Sequence, residues 1–173
     1  ELKILIYGNK ALRRKAASVK KVGNEERAIL EKMVQIMQSS KGIGLAATQL
    51  GIDKQLIVVD VGYGLFKLAN PKIKNKQGNC VMQEGCLSVP DVAVEVKRAK
   101  KIFVECIDEF NRKVYFWADD LFSRAIQHEV DHLRGRLIID YLGLLKKIEV
   151  KKIVNLHKRG RDSKNNVLYS PEI

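Results

Sequence analysis

Three segments of the sequence carry apolar residues at the three- and four-residue spacing of an amphipathic helix. The first begins at Asn24, a residue type suited to N-capping, and stops near residues 39–42. The second is predicted over residues 119–133. The third is predicted over residues 142–159, because Gly160 is a natural position after a helix C-cap. Three helices are therefore expected, one early in the chain and two late.

The pattern between the first two helices is that of strands. Short β-branched or aromatic runs occupy residues 56–59, 102–104 and 114–116, and valines alternate with other residues over 92–96. Residues 108–111 could form the turn of a hairpin. Because the order of helix, several strands, helix, helix is not a strict βαβ alternation, the sequence predicts an α+β fold with mainly antiparallel strands.

Composition and charge narrow the class of protein. A chain of 173 residues with 46% hydrophobic residues and no internal repeat or linker predicts a single domain over 1–173, with a basic C-terminal helix and tail over 146–173. The net charge of +12 favours polyanionic neighbours such as a ribonucleoprotein, or else a lysine-rich solvated surface. Three cysteines at low density favour reduced thiols. No leader and no membrane-spanning apolar run are visible, which favours a cytoplasmic protein without a membrane partner.

The segment Q-H-E-V-D-H, residues 127–132, carries the strongest chemical signal. On a helix, His128 and His132 lie on one face, one turn apart, and could bind a single metal ion. Glu129 lies at the edge of that face, where its carboxylate could accept a proton from a water molecule. The alternative is a pair of histidines packed on a helix that binds no metal.

Two histidines do not complete a catalytic metal site, which usually has three protein ligands. A metalloprotease extension fits poorly, since Ile138 stands where a third histidine would be expected, and Glu149 lies among lysines and is interpreted as a surface charge. Cys86, in the segment E-G-C-L-S-V-P, lies where a glycine and a proline favour a turn from which a thiolate could reach a metal. The alternative for any lone cysteine is a small buried hydrophobe, and this is the prediction for Cys80 and Cys106.

A third segment, G-I-G-L-A-A-T-Q over residues 42–49, follows the first helix. Its small residues allow close approach of a backbone or ligand, and Gln49 offers an amide donor. Alone it is a weak signal. Together with E-G-C-L-S and Q-H-E-V-D-H, in this order, it resembles the three signature motifs of the peptide deformylase family, and the resemblance extends over about residues 4–145.

The resemblance implies a fold in which antiparallel sheets surround the H-E-x-x-H helix, and an enzyme that removes the formyl group from the N-terminal formyl-methionine of newly made proteins, releasing formate. It also assigns residues. Glu129 would be the general acid/base, and Gln49 and the Leu87 N–H would stabilise the oxyanion. Ile43 and Gly44 would border the bound peptide. The implied metal ligands are Cys86, His128 and His132. The implied pocket for the methionine side chain is lined by Leu121, Arg124 and Ala125.

The resemblance further implies one divalent metal ion, ferrous iron in the cell, with nickel or cobalt also active and zinc forms usually poor catalysts. The Cys/His/His set by itself does not separate iron from zinc. Formylated nascent peptides would be the substrates, and the basic C-terminal helix could dock at the ribosome of a bacterium or an organelle, or could simply be a solvated face. Two rival hypotheses are a metalloprotease acting on internal peptide bonds and an RNA-binding protein with a structural metal.

Arg124 departs from the family pattern, in which an apolar residue usually lines the methionine pocket. It lies four residues before His128 and therefore shares its helix face. We expect its methylene stem to line the pocket while its guanidinium reaches solvent, because burial of an unpaired guanidinium is costly. The alternative is that its charge narrows the pocket or attracts acidic groups on the peptide. The first arrangement predicts that Arg124→Ile mainly alters KM.

Overall fold

The computed structural model describes residues 2–163, with side chains described for residues 2–155. This part of the chain contains three α-helices and two antiparallel β-sheets. The helices are α1 (Asn24–Ser39), α2 (Asp120–Leu133) and α3 (Leu144–Ser163). The strands are β1 (Gly44–Ala46), β2 (Leu56–Asp60), β3 (Leu65–Gln77), β4 (Cys80–Cys86), β5 (Val89–Arg98), β6 (Lys101–Asp108) and β7 (Lys113–Asp119).

The larger sheet has five strands in the order β1-β2-β3-β6-β7, and all of its neighbouring strands are antiparallel. The smaller sheet is the hairpin β4–β5, which shares no strand pairing with the larger one. Side chains alternate as the pleat requires: Ile102, Val104 and Cys106 of β6 are buried, whereas Phe103 and Glu105 between them are only half-buried. The predicted α+β fold with mainly antiparallel strands is confirmed.

Helix α2 lies at the centre of the molecule and packs on the larger sheet. Its buried apolar residues Phe122, Ile126 and Val130 join Ile57 and Ile102 of the sheet in one hydrophobic cluster. Almost every residue of α2 is buried, including polar ones. A helix buried on nearly all sides needs partners for its polar side chains, and those partners form the site described below.

The sequence predicted none of the strands β1, β3 and β4, and β3 is the longest of the three. Apart from the half-buried Ile73, its second half consists of exposed lysine, asparagine and glutamine residues, so it shows no apolar alternation. A register shift after Ala69 accommodates the Asn70–Pro71 pair, and Asn70 has a positive φ of 50°. The Asn70 side chain compensates by bonding both the N–H and the C=O of Val19, at 2.9 and 2.7 Å. These contacts are long-range and leave no local pattern.

The helix ends differ in detail from the predictions. Helix α1 begins at Asn24 as expected, but Gly23 is its N-cap residue, and the Gly23 N–H donates to the Glu26 carboxylate at 3.0 Å. Helix α3 continues through Gly160 to Ser163, so the predicted end at residue 159 is wrong. The remainder of the predicted tail, residues 164–173, lies outside the described residues.

Several smaller predictions can be compared directly with the structure. The predicted hairpin turn at residues 108–111 lies between β6 and β7, where the Asp108 carboxylate accepts the N–H groups of Phe110 and Arg112. The three cysteines are free thiols; Cys106 is buried as predicted, but Cys80 is only half-buried. None of the helices in the described part of the chain has an apolar stretch long enough for a membrane crossing.

Candidate metal centre

The three candidate metal ligands come from two separate elements. His128 and His132 lie on α2, and Cys86 is the last residue of β4, at the tip of the β4–β5 hairpin. A two-residue turn, Leu87–Ser88, joins the strands, and the pairing shifts register at Gly85. The predicted turn is therefore present, although β5 resumes at once and includes Pro90.

The ligand atoms of Cys86, His128 and His132 converge, all lying within 4.8 Å of one another. The Cys86 Sγ lies 3.3 Å from the His132 Nε2, which lies 3.1 Å from the His128 Nε2. For zinc, bond lengths of about 2.0–2.3 Å at tetrahedral angles place neighbouring nitrogen and sulfur ligands roughly 3.3–3.6 Å apart. One thiolate and two imidazoles at this separation fit a divalent transition-metal ion.

The Glu84 carboxylate fixes the orientation of His128. Its Oε2 lies 3.0 Å from the His128 Nδ1, and because a carboxylate only accepts, Nδ1 carries the proton and Nε2 is left with a free lone pair. Arg98 donates to both Glu84 oxygens, at 2.6 and 2.9 Å. Burial alone would raise the pKa of Glu84, but the bonds from His128 and Arg98 lower it to about 2. Glu84 is therefore an anion at neutral pH.

Glu129 is buried beside the ligands and its Oε2 has no hydrogen-bond partner among the described residues. Burial raises the pKa of this carboxyl to about 7. The backbone of β1 lies against it, and a Cβ added to Gly44 would come 3.0 Å from the Glu129 Cδ. Gly44 thus leaves the space that the Glu129 carboxylate occupies.

Gln49 presents its amide nitrogen to the same site. Its Oε1 accepts the Ala46 N–H at 2.8 Å, which fixes the orientation of the amide group. The Nε2 therefore points the other way, 3.8 Å from the Cys86 Sγ and 3.1 Å from the Ser88 Oγ. Leu87 lies nearby and packs so closely on Gly42 that a Cβ there would come 2.8 Å from the Leu87 Cδ1.

A cleft of about 630 Å³ opens in front of these groups. Its lining is mostly apolar, and two large side chains at the cleft, Ile43 and Leu121, are 46% and 39% exposed. Met82 of β4, which the sequence analysis did not single out, lines it as well. The predicted site residues that line this cleft are Ile43, Gly44, Gln49, Cys86, Leu87, Leu121, Arg124, Ala125, His128 and Glu129.

The guanidinium of Arg124 does not reach solvent, and that expectation is wrong. Arg124 is 5% exposed, and its Nη1 donates to the Glu84 Oε1 at 2.6 Å and to the Val96 carbonyl at 2.9 Å. Its Nη2 donates to the Cys80 carbonyl at 2.7 Å. The structure provides an anion and two carbonyls as partners, which removes the cost that made burial unfavourable.

A buried polar network that was not predicted from the sequence lies behind the site. Glu84 and Asp131 stand inside the quoted motifs but received no role, and Arg98 carried no signal at all. Arg98 joins them, since its Nη1 donates to the Asp131 Oδ2 at 2.8 Å, and the Tyr141 hydroxyl donates to the same oxygen at 2.7 Å. Only the folded hairpin brings Arg98 to α2, so this residue could not be found from spacing.

Comparison with known families agrees with the arrangement of the site. The family model described as polypeptide deformylase matches residues 1–148. The chain belongs to the polypeptide deformylase family. Members of this family remove the N-terminal formyl group from nascent polypeptides and depend on a metal ion, and the chain is accordingly a hydrolase of this type.

Individual relatives cover most of the chain. A peptide deformylase of Thermoanaerobacter pseudethanolicus is 45% identical over 133 residues, which are 77% of this chain and 84% of the relative. One of Pelagibacter ubique is 42% identical over 164 residues, covering 91% and 95%. Among solved structures, a Legionella pneumophila peptide deformylase has a TM-score of 0.89 at 31% identity, covering 93% and 97%. A Synechococcus elongatus peptide deformylase in complex with actinonin has a TM-score of 0.84 at 40% identity, covering 89% and 86%.

Proposed function

We propose that Cys86, His128 and His132 hold one divalent metal ion, and that Glu129 moves the proton during removal of the formyl group. The convergence of the three ligand atoms within 4.8 Å, directly beside a buried carboxylate oxygen without a partner, carries this proposal. In this arrangement residues 1–173 act as one catalytic domain, because the ligands come from both the hairpin and the central helix.

Each residue has a defined part in the reaction. Cys86, His128 and His132 would hold the divalent ion, which would lower the pKa of water and polarise the formyl carbonyl group. Glu129 accepts the proton of the attacking water on its free oxygen and passes it to the amine that leaves the formyl carbon. The Gln49 amide and the Leu87 N–H donate to the negative charge that develops on the formyl oxygen, and one such donor is typically worth about 3–4 kcal/mol.

The apolar cleft suits an N-terminal methionine. Ile43 and Gly44 would border the peptide backbone, and Leu121, Arg124 and Ala125 would line the pocket of the methionine side chain. The half-exposed apolar side chains of Ile43 and Leu121 support this assignment, because a bound methionine would cover them. A relative crystallised with actinonin also supports a ligand site in this family.

Substitution of the ligands and of Glu129 separates these roles. Glu129→Ala should keep the metal and lose about 100-fold or more in kcat for a formyl-Met peptide, because it removes the proton carrier and no ligand. Cys86→Ala and His132→Ala should lose the metal as well. Metal content by elemental analysis and formate release are measured on the same samples. Near-full turnover by Glu129→Ala would contradict the proposed mechanism.

Ferrous iron is the proposed metal in the cell, on the strength of the family resemblance, with Ni²⁺, Co²⁺ or Zn²⁺ able to occupy the same ligands. Iron-loaded protein should then lose formate-releasing activity in air, because dioxygen oxidises ferrous iron and a metal-bound thiolate such as that of Cys86 is also open to oxidation. Nickel-loaded protein should keep its activity. An iron-loaded sample that is fully stable in air would count against iron.

The proposed substrates are formylated nascent peptides. The proposed site of action is therefore the ribosome, in the cytoplasm of a bacterium or in an organelle. The described lysines of α3 support docking there. Lys146, Lys151 and Lys152 are exposed, while Val150 and Val154 of the same helix are buried in the core. The helix thus presents exposed lysines, the side-chain type that neutralises phosphate charges in nucleic-acid binding.

A further inference from the structure

The proposed metal ligands come from two parts of the molecule, the β4–β5 hairpin and helix α2 on the five-stranded sheet. Side-chain contacts fix the position of one part relative to the other. The β4–β5 hairpin carries Cys86 and forms no strand pairing with the five-stranded sheet, on which α2 and its histidines are packed. A misplacement of the hairpin by a fraction of an ångström would change the distance between the Cys86 Sγ and the His132 Nε2, which is 3.3 Å. Whatever fixes the hairpin on α2 therefore also sets the ligand geometry.

Two buried arginines connect the hairpin with α2, one from the hairpin side and one from the helix side. Arg98 lies at the end of β5 and reaches Asp131 of α2 with a bond of 2.8 Å. Arg124 lies on α2 and reaches across to the hairpin, bonding the Glu84 carboxylate and the carbonyls of Cys80 on β4 and Val96 on β5. Arg124 thus bonds to both strands of the hairpin from the helix that carries the histidines.

Glu84 is the point at which both arginines meet His128. Its Oε1 accepts from Arg98 and from Arg124, each at 2.6 Å. Its Oε2 accepts from Arg98 at 2.9 Å and from His128 at 3.0 Å. These four bonds fill the roughly four acceptor positions of a carboxylate. Removal of Arg124 would leave one position empty and two hairpin carbonyls without these bonds.

We propose that Arg124 is a positioning residue, which acts through Glu84 and the β4–β5 hairpin to hold Cys86 and His128 in ligand geometry. This inference rests on the proposed metal ligands, and it reverses the expectation from sequence that Arg124 matters mainly for KM. Residues that orient metal ligands through hydrogen bonds typically contribute about 10- to 100-fold to metal affinity or activity. Arg124 has the contacts of such a residue.

The test is the rate at which the protein gives up Co²⁺ to an excess of a strong chelator. Arg124→Met should release Co²⁺ about 10- to 100-fold faster than the unaltered chain and should change the visible absorption of the bound ion, since that spectrum reports ligand geometry. Formate release should show a lower kcat with KM for a formyl-Met peptide changed less than about threefold. Arg134→Met is the matched control, because Arg134 is exposed at the end of the same helix.

A double-mutant cycle asks whether Arg124 acts through Glu84. In a Glu84→Gln background, Arg124→Met should accelerate Co²⁺ release by less than about threefold, because residues in one network have non-additive effects. Full additivity would overturn action through Glu84. If Arg124→Met does not fold, the rate of Co²⁺ release is measured on Arg124→Lys instead. A release rate equal to that of the unaltered chain would overturn the proposal.

The outcomes also separate this inference from the proposed function. Failure of the unaltered chain to retain Co²⁺ would remove the metal centre itself. Retention by both the unaltered chain and Arg124→Met, with unchanged spectra, would leave the metal centre intact and remove the positioning role. An effect of Arg124→Met confined to KM would show that Arg124 lines the substrate pocket and does not position the metal ligands.

Discussion

At the scale of single residues, the proposed mechanism depends on the carboxylate of Glu129, which is buried beside the proposed metal ligands. Glu129 follows His128 directly in the chain, yet its environment is set by β1, whose Gly44 leaves room for the carboxylate. The Gln49 amide is oriented from the same segment, by the Ala46 N–H. The small residues of G-I-G-L-A-A-T-Q thus shape the space around the proposed proton carrier, Glu129, and the proposed oxyanion donor, Gln49.

Gly44→Ala tests this shape. The added methyl group would overlap the Glu129 carboxylate, so Glu129 would have to shift while the metal ligands stay in place. We expect kcat for formate release to fall at least about 10-fold with metal content near that of the unaltered chain. Gly143→Ala is the control, since a Cβ at Gly143 meets no atom within 4 Å. Equal activity of the two variants would contradict the assigned role of Gly44.

At the scale of elements, the C-terminal end of α2 is fixed by specific backbone hydrogen bonds. The chain leaves the helix in a Schellman motif, in which Gly135 donates to the His132 carbonyl at 3.0 Å and Arg136 donates to the Asp131 carbonyl at 2.9 Å. Gly135 has a φ of +73° and lies against the Arg13 backbone. The helix that carries the histidines is thereby terminated directly after His132, at Leu133.

Gly135→Ala should destabilise the protein through this motif. A Cβ at Gly135 would come 2.5 Å from the Arg13 carbonyl oxygen, which is backbone and cannot rotate away, and the positive φ adds strain. We expect the free energy of unfolding to fall by about 2 kcal/mol or more, measured by chemical denaturation of metal-free protein. A change no larger than that of Gly143→Ala would show that the turn adapts freely.

The sequence predicts elements well where one local pattern decides them. Helix α2 was predicted because its apolar and histidine positions repeat at helical spacing, and the β6–β7 hairpin was predicted because Asp108 begins a recognisable turn. Strand β3 was not, since its register shift is compensated by Val19, 51 residues away from Asn70. The burial of Arg124 escaped prediction for the same reason, because Glu84, Cys80 and Val96 meet it only in the folded chain.

At the scale of the whole molecule, the net charge of +12 is compatible with a buried site whose arginines are all paired with carboxylates. Within the described side chains, the basic residues of the site, Arg98 and Arg124, are buried and neutralised by Glu84 and Asp131. Among the described side chains, Lys146, Lys151 and Lys152 of α3 are exposed on the surface. Such a surface favours association with a polyanion at low salt.

Charge reversal on α3 tests ribosome docking without disturbing the core. Truncation of the helix would remove the buried Val150 and Val154, so substitution is the better experiment. We expect the triple variant Lys146→Glu, Lys151→Glu, Lys152→Glu to lose ribosome co-sedimentation at low salt, because phosphate contacts depend on these charges. A matched variant reverses three exposed lysines elsewhere, Lys72, Lys76 and Lys97. Equal loss in both variants, or none in either, would argue against a specific role of α3.

The central claim is that one metal ion, held by Cys86, His128 and His132, makes this chain a deformylase, and a titration tests it most directly. Metal-free protein is titrated with Ni²⁺ while formate release from a formyl-Met peptide is followed. We predict that activity rises in proportion to bound metal, reaches its maximum at one ion per chain, and stays absent in Cys86→Ala. Formate release at the full rate without metal, or unchanged in Cys86→Ala, would contradict the account.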